Sequence, residues 1–234
     1  MKKLLVIITL LLVATCVYAA EKKTFSEIAV EDLTKETQAL AKRTSTPHVA
    51  LTWWIPYEYW QVSMSNDPTT SNEDKKAILD ALSGVSLLAV VQADISKLGA
   101  FTYYTKEETE KNLQISVTGP DAIEHAIAPM QSINQDLEAL LGILKPLLGG
   151  AMGNLGSNLH FYVLDDQTKG TGRCIDPYKK GFINIQLAQR NGSLINTELE
   201  LPLNSLYVPR VCPNGKEAHI SWKYCPWSGK QLPE

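Results

Sequence analysis

The chain has 234 residues, a formal charge of −3, and 44% apolar against 20% charged residues, the balance of a globular protein and unlike a disordered tail. Lysine and arginine never cluster beyond a pair. That excludes the basic surface on which nucleic-acid affinity rests, so no nucleic acid is expected as a partner, and it argues equally against a polybasic membrane contact.

The chain opens like an export signal. Lys2 and Lys3 precede an apolar run from Leu4 to Val17, and Val17-Tyr18-Ala19 supplies a peptidase site. A membrane-spanning helix takes ~20 apolar residues, so the run is too short for an anchor. Acylation at Cys16 fits poorly because Thr15 precedes it. Residues 1–19 are therefore read as a cleaved signal peptide, which implies a secreted or periplasmic protein without an integral membrane segment. Cleavage after Ala19 leaves 215 residues with a charge of −5, since Lys2 and Lys3 are the only charged residues lost. Cys174, Cys212 and Cys225 remain, an odd count that in an oxidising compartment suggests one disulfide and one free thiol. Asn191-Gly192-Ser193 matches a glycosylation sequon.

Thr24-Phe25-Ser26-Glu27 resembles a capping box and predicts a polar helix reaching about Arg43. Val49–Ile55 reads as a strand. Ser71 followed by Asn72-Glu73-Asp74 caps a second helix that should bury Ala77, Ile78, Ala81 and Leu82 and close at Gly84. Val85 to Ile95 is a nearly continuous apolar run, as for a strand buried on both faces. Phe101–Tyr104, Leu113–Val117 and Leu159–Leu164 are further strand candidates. Thr105 with Glu108 predicts a short helix. Ser132 or Asn134 caps another, which carries Leu137, Leu140, Leu141, Leu144, Leu147 and Leu148 and should kink or end at Pro146. Ile183, Ile185 and Leu187 alternate with polar residues, as do Ile195, Thr197, Leu199 and Leu201. The Asn191-Gly192 between them predicts a hairpin from 182 to 201 with a type I′ turn. Helices and strands alternate early and strands cluster late. The fold class expected is α+β, with a mixed or antiparallel sheet, several helices and a small C-terminal ribbon-like β-hairpin. The division expected is a domain over 20–207 and a tail over 208–234.

That tail carries the one likeness to a known family. Cys212-Pro213-Asn214-Gly215-Lys216 and Cys225-Pro226-Trp227-Ser228-Gly229-Lys230 resemble the two knuckles of a zinc ribbon, Cys-Pro-x-Cys-Gly-Lys, with Ala218, Ile220, Trp222 and Tyr224 alternating along a strand between them. Gly215 and Ser228 stand where the second cysteine of each knuckle would be. Two thiolates make half of a tetrahedral zinc site, so no metal is expected. His219 lies between the knuckles, and Cys174 is distant. The resemblance implies that the retained sulfurs lie close enough to bond in an oxidising compartment, giving a disulfide between Cys212 and Cys225. A coincidental pair of Cys-Pro turns is the alternative.

Five aromatic residues, Trp53, Trp54, Tyr57, Tyr59 and Trp60, fall within eight positions. They are either a stacking platform for sugars or peptides, with Trp53, Trp54, Tyr57 and Trp60 as ligand-stacking candidates, or rings filling the core, which is the commoner fate of such residues. The glycine-rich stretch 149–157 follows a helix and precedes a strand, the reverse of a phosphate loop, and reads as a mobile connection. No cofactor is expected. His48, His125, His160 and His219 are scattered, there is no Gly-x-Ser-x-Gly elbow, and only Cys174 with His160 offers a thiol and base. Asp165-Asp166 lacks the alternating carboxylates of a calcium loop. No catalytic residue is assigned. The function expected is non-catalytic binding or interaction with an envelope or extracellular partner, and the alternative is a secreted hydrolase whose catalytic residues are dispersed.

Overall fold

A computed structural model describes residues 20–41, 47–168 and 172–232. The export segment, Cys16 and the expected helix end at Arg43 lie outside the described residues.

Local signals decide several elements. Thr24 opens only a 3-10 turn, Phe25–Glu27, in which the Glu27 carboxylate accepts from the Thr24 amide at 3.0 Å. The chain is extended again at Ile28 before α1 (Val30–Thr37). The expected long helix stops at Thr37 because β1 (Gln38–Leu40) pairs with β2 (His48–Ile55), Gln38 facing Trp53. Ladder hydrogen bonds thus override local helix propensity. After Pro56 comes α2 (Tyr57–Asn66). The Ser71 hydroxyl accepts from the Asp74 amide and starts α3 (Asn72–Leu82), which buries Leu82 and leaves Ala77 exposed, contrary to expectation. Gly84 (φ +80°) turns the chain into β3 (Val85–Ile95); a Cβ there would lie 2.0 Å from Gln167 Nε2. The strand β4 (Phe101–Tyr103) follows, then α4 (Lys106–Glu110) with its Thr105–Glu108 capping box.

β5 (Gln114–Thr118) and β6 (Glu124–Ile127) form a hairpin, and α5 (Gln135–Ala151) starts at Asn134. This helix continues five residues past Pro146. The glycine-rich stretch ends α5 and continues as a 3-10 helix, Gly153–Asn158, packed back so closely that a Cβ on Gly156 would lie 1.6 Å from the Gly149 carbonyl oxygen. Then come β7 (His160–Asp165), the short pair β8 (Gln167–Thr168) and β9 (Gly172–Arg173), and the hairpin β10 (Gly181–Ala188) and β11 (Leu194–Leu201). Its turn is not type I′. Gly192 alone has positive φ, the Gly192 amide donates to Gln189 and the Gln189 amide to Ser193, which makes a three-residue loop with glycine in the left-handed position.

All pairings are antiparallel. β1, β2 and β3 lie side by side, with β4 and β7 sharing the far side of the long β3, and β11-β10-β5-β6 forms a second sheet. The α+β class holds, with antiparallel sheets throughout. Alternate residues of β2 show the layering. Thr52 meets Thr197 of the second sheet, hydroxyl to hydroxyl at 2.8 Å, while Trp53 turns the other way and donates through Nε1 to Thr37 of α1 at 3.2 Å. The first sheet is therefore the middle layer, between helices and the second sheet. Among the described residues no helix is long and apolar enough to cross a membrane.

The C-terminal segment has its own small core of Cys212, Ala218, Cys225 and Leu232. Cys212 and Cys225 lie at disulfide distance, Cα to Cα 5.7 Å. β12 (Arg210–Val211) pairs with β13 (Glu217–Ala218) around the first Cys-Pro turn. The two Cys-Pro turns match: the Cys212 amide donates to Lys216 and the Cys225 amide to Lys230, each at 2.8 Å, with Gly215 and Gly229 at positive φ. The strand expected from Ala218 to Tyr224 does not form. Chain direction changes at His219–Trp222 because Ile220 is drawn into the main core.

Candidate functional site

The aromatic cluster is not a ligand platform. Trp53, Trp54 and Trp60 are 2, 0 and 4% exposed, and Tyr59 packs edge-on against Trp53 and Trp60. Tyr57, half-buried, packs against the same core. Proline at 56 turns the chain so that the α2 rings meet Trp53 on the helix side of the first sheet.

A broad concave surface lies on the outer face of the second sheet. Inward residues of β10 and β11, such as Ile185 and Leu199, fill the core, so the alternate ones face out. Asn184 stands opposite Ser116 and Glu198, and Gln186 opposite Gln114 and Asn196. These residues floor a trough of about 1270 Å³, walled by β1 on one side and Ala128-Pro129 on the other. Gln186 donates to Asn196 at 3.1 Å, and the Ser116 hydroxyl donates to Glu124. Amides pair a donor with an acceptor in a fixed plane and carboxylates pair two acceptors, the geometry that neighbouring hydroxyls of a sugar ring match. Alternation in the sequence marks these residues as outward; the walls that β1 and Ala128-Pro129 raise beside them are signalled by no periodicity.

At one end of the middle sheet a charged group is buried. Arg173 pairs with Glu58 through Nη1, and its Nε donates to Asp166 Oδ2 at 2.8 Å; Nη2 lies 2.6 Å from that oxygen without donating to it. Asp166 Oδ1 accepts from the Ile175 amide at 2.9 Å. Glu58 and Asp166 are almost wholly buried, and Glu58 Oε2 has no hydrogen-bond partner. Burial holds the Asp166 carboxyl above its ordinary value, against the pull of Arg173. Beside this group a cleft of about 510 Å³ opens between the β5–β6 hairpin and residues 173–181, and Cys174 lines it. Burial, then the Asp166 and Asp165 charges, push the Cys174 thiol up, the reverse of an activated nucleophile. The His160 ring is engaged elsewhere, with the Tyr104 carbonyl at 2.8 Å.

His48 and Asp94, 2.9 Å apart, resemble half of a catalytic triad, but the pair belongs to a clamp. Tyr104 donates to Asp94, and Arg190 of the hairpin loop reaches Asp94 and both Glu108 oxygens at 2.8–2.9 Å while lying over the Tyr104 ring. The clamp locks the second sheet's loop to the first sheet. Hydrogen bonds from Arg190, then from the Thr105 amide, hold Glu108 down at about 2 against an ordinary 4.5. This stabilisation is present above 4.5 and is lost as pH falls towards 2. Arg190→Ala should return the Glu108 carboxyl most of the way to its ordinary value, read by carboxyl-carbon NMR titration.

The chain matches no known protein family, no curated protein and no solved structure.

Proposed function

We propose that the protein is a non-catalytic binding protein of the cell envelope or extracellular space, and that the trough on the second sheet holds a neutral glycan strand. The observation that carries this reading is the double row of amide and hydroxyl side chains, Gln114, Ser116, Asn184, Gln186 and Asn196, on an open concave sheet. The export-like start of the chain supports the location, and the closed Cys212–Cys225 pair suits an oxidising compartment. We read the tail as a ribbon in which that pair stands in for the metal.

The hydrolase alternative gains less support. The trough's carboxylates, Glu124 on β6 and Glu198 on β11, sit on strands three spacings apart, ~14 Å, whereas glycoside chemistry uses carboxyl groups ~5–9.5 Å apart. The test is retention of the exported protein on chitin, β-glucan and peptidoglycan, with Asn184→Ala and Gln186→Ala as variants. Retention on one of these, weakened at least ~10-fold in the double variant at unchanged melting temperature, is expected for two lost hydrogen-bonding side chains. Equal retention of both proteins, or none on any glycan, overturns the proposal.

A further inference from the structure

The C-terminal module differs in chemistry from the rest. Residues 208–234 carry Arg210, Lys216, Lys223 and Lys230 against Glu217 and Glu234, a net +2, which leaves −7 on residues 20–207. Spread over the sequence these cations form no run; the knuckles gather them on one small body. The same body exposes Trp222, Tyr224 and Trp227 at 39, 59 and 50%, together with Val208 and Val211. Lys216 Nζ, from the first knuckle, lies 5.0 Å from the Trp227 ring centroid in the second, and Arg210 donates to the Trp222 carbonyl at 2.9 Å. Single exposed rings are ordinary, but rings, valines and cations concentrated in one module point to a partner.

The Val208 amide donates to Glu21 at 2.8 Å and the Lys23 amide to Leu206 at 3.0 Å, so residues 21–23 run antiparallel along the root of the module and tie it to the main domain. The combination of groups it exposes narrows the partner's chemistry. A soluble polyanion would call for cations alone. A lipid surface calls for cations and amphipathic rings together, since tryptophan and tyrosine settle at headgroup depth while lysine reaches the phosphates.

We propose that residues 208–232 form a membrane-surface dock, placing Trp222, Tyr224 and Trp227 among the headgroups of an anionic phospholipid bilayer with Lys216, Lys223 and Lys230 on their phosphates. This does not rest on the trough. The full chain, with Lys216→Glu/Lys223→Glu/Lys230→Glu and Trp222→Ala/Trp227→Ala variants, is to be mixed with vesicles of phosphatidylcholine alone or with equimolar phosphatidylglycerol, some brominated on the acyl chains. All three proteins share one N-terminus, so its contribution cancels. Wild type should prefer the anionic vesicles at least ~10-fold, lose most of that preference in high salt, and show tryptophan quenching, which reports Trp222 and Trp227 because the other three are buried. Both variants should lose at least ~10-fold in binding with melting temperatures unchanged. Equal binding of wild type and variants, or anionic-vesicle binding without quenching and matched by soluble polyphosphate, overturns the proposal.

Discussion

Arg173→Ala should lower stability at pH 7 by ~3–5 kcal/mol in urea denaturation, the cost of leaving buried charge without its partner. Both Glu58 and Asp166 lose their cation at once, and neither can turn to water, since their side chains are 5 and 2% exposed. Asp166 keeps the Ile175 amide; Glu58 keeps nothing among the hydrogen bonds described for its side chain. The deficit should shrink on acidification. A carboxyl held above its ordinary value is easier to accommodate once protonated, so stability lost at high pH is regained as pH falls through the folded-state value. Removing Arg173 raises that value further, so the variant should gain on wild type as pH falls below 7. Arg173→Lys keeps the charge but not the fork that spans two carboxylates, and should fall between. An Arg173→Ala protein as stable as wild type at pH 7 would show that the group is solvated.

Trp54→Ala should cost ~3–5 kcal/mol, and Trp54→Phe under ~1.5 kcal/mol. Trp54 has no exposed surface, lies opposite Leu88 of β3, and its Nε1 has no hydrogen-bond partner. The ring is thus held by packing alone, and a phenyl ring keeps most of that while removing an unpaired donor. Alanine leaves a void in the middle layer. A binding residue would behave in reverse: either change would abolish ligand retention and leave the melting temperature in place.

Much of the scaffold could be read from residue order because local and tertiary signals agree there. The period-two alternation of 183–187 and 195–201 gives β10 and β11; the unbroken apolar run of 85–95 gives β3; Ser71, Thr105 and Asn134 each cap the helix that follows. Where the two disagree, the tertiary demand wins. Helix-forming residues at 38–40 become β1 because the β2 edge takes them, and β6 gives no signal because Glu124, His125 and Ala126 are all exposed, so neither face selects apolar side chains. The trough was half legible. Its amides alternate visibly, but the rows form only when β5 joins β10 across more than sixty intervening residues. Nothing local pairs Glu58 with Arg173, 115 positions away.

The link between residues 21–23 and 206–208 also orders events in time. Glu36 accepts from the Ser205 amide and hydroxyl across 169 positions, and Thr52 meets Thr197 across 145. A chain emerging N-terminus first has α1 and β2 available early but cannot close their interior until about residue 207 arrives. Contacts so distant in sequence close late. Until then the first third of the protein stays open, a form that a holding chaperone can still grip.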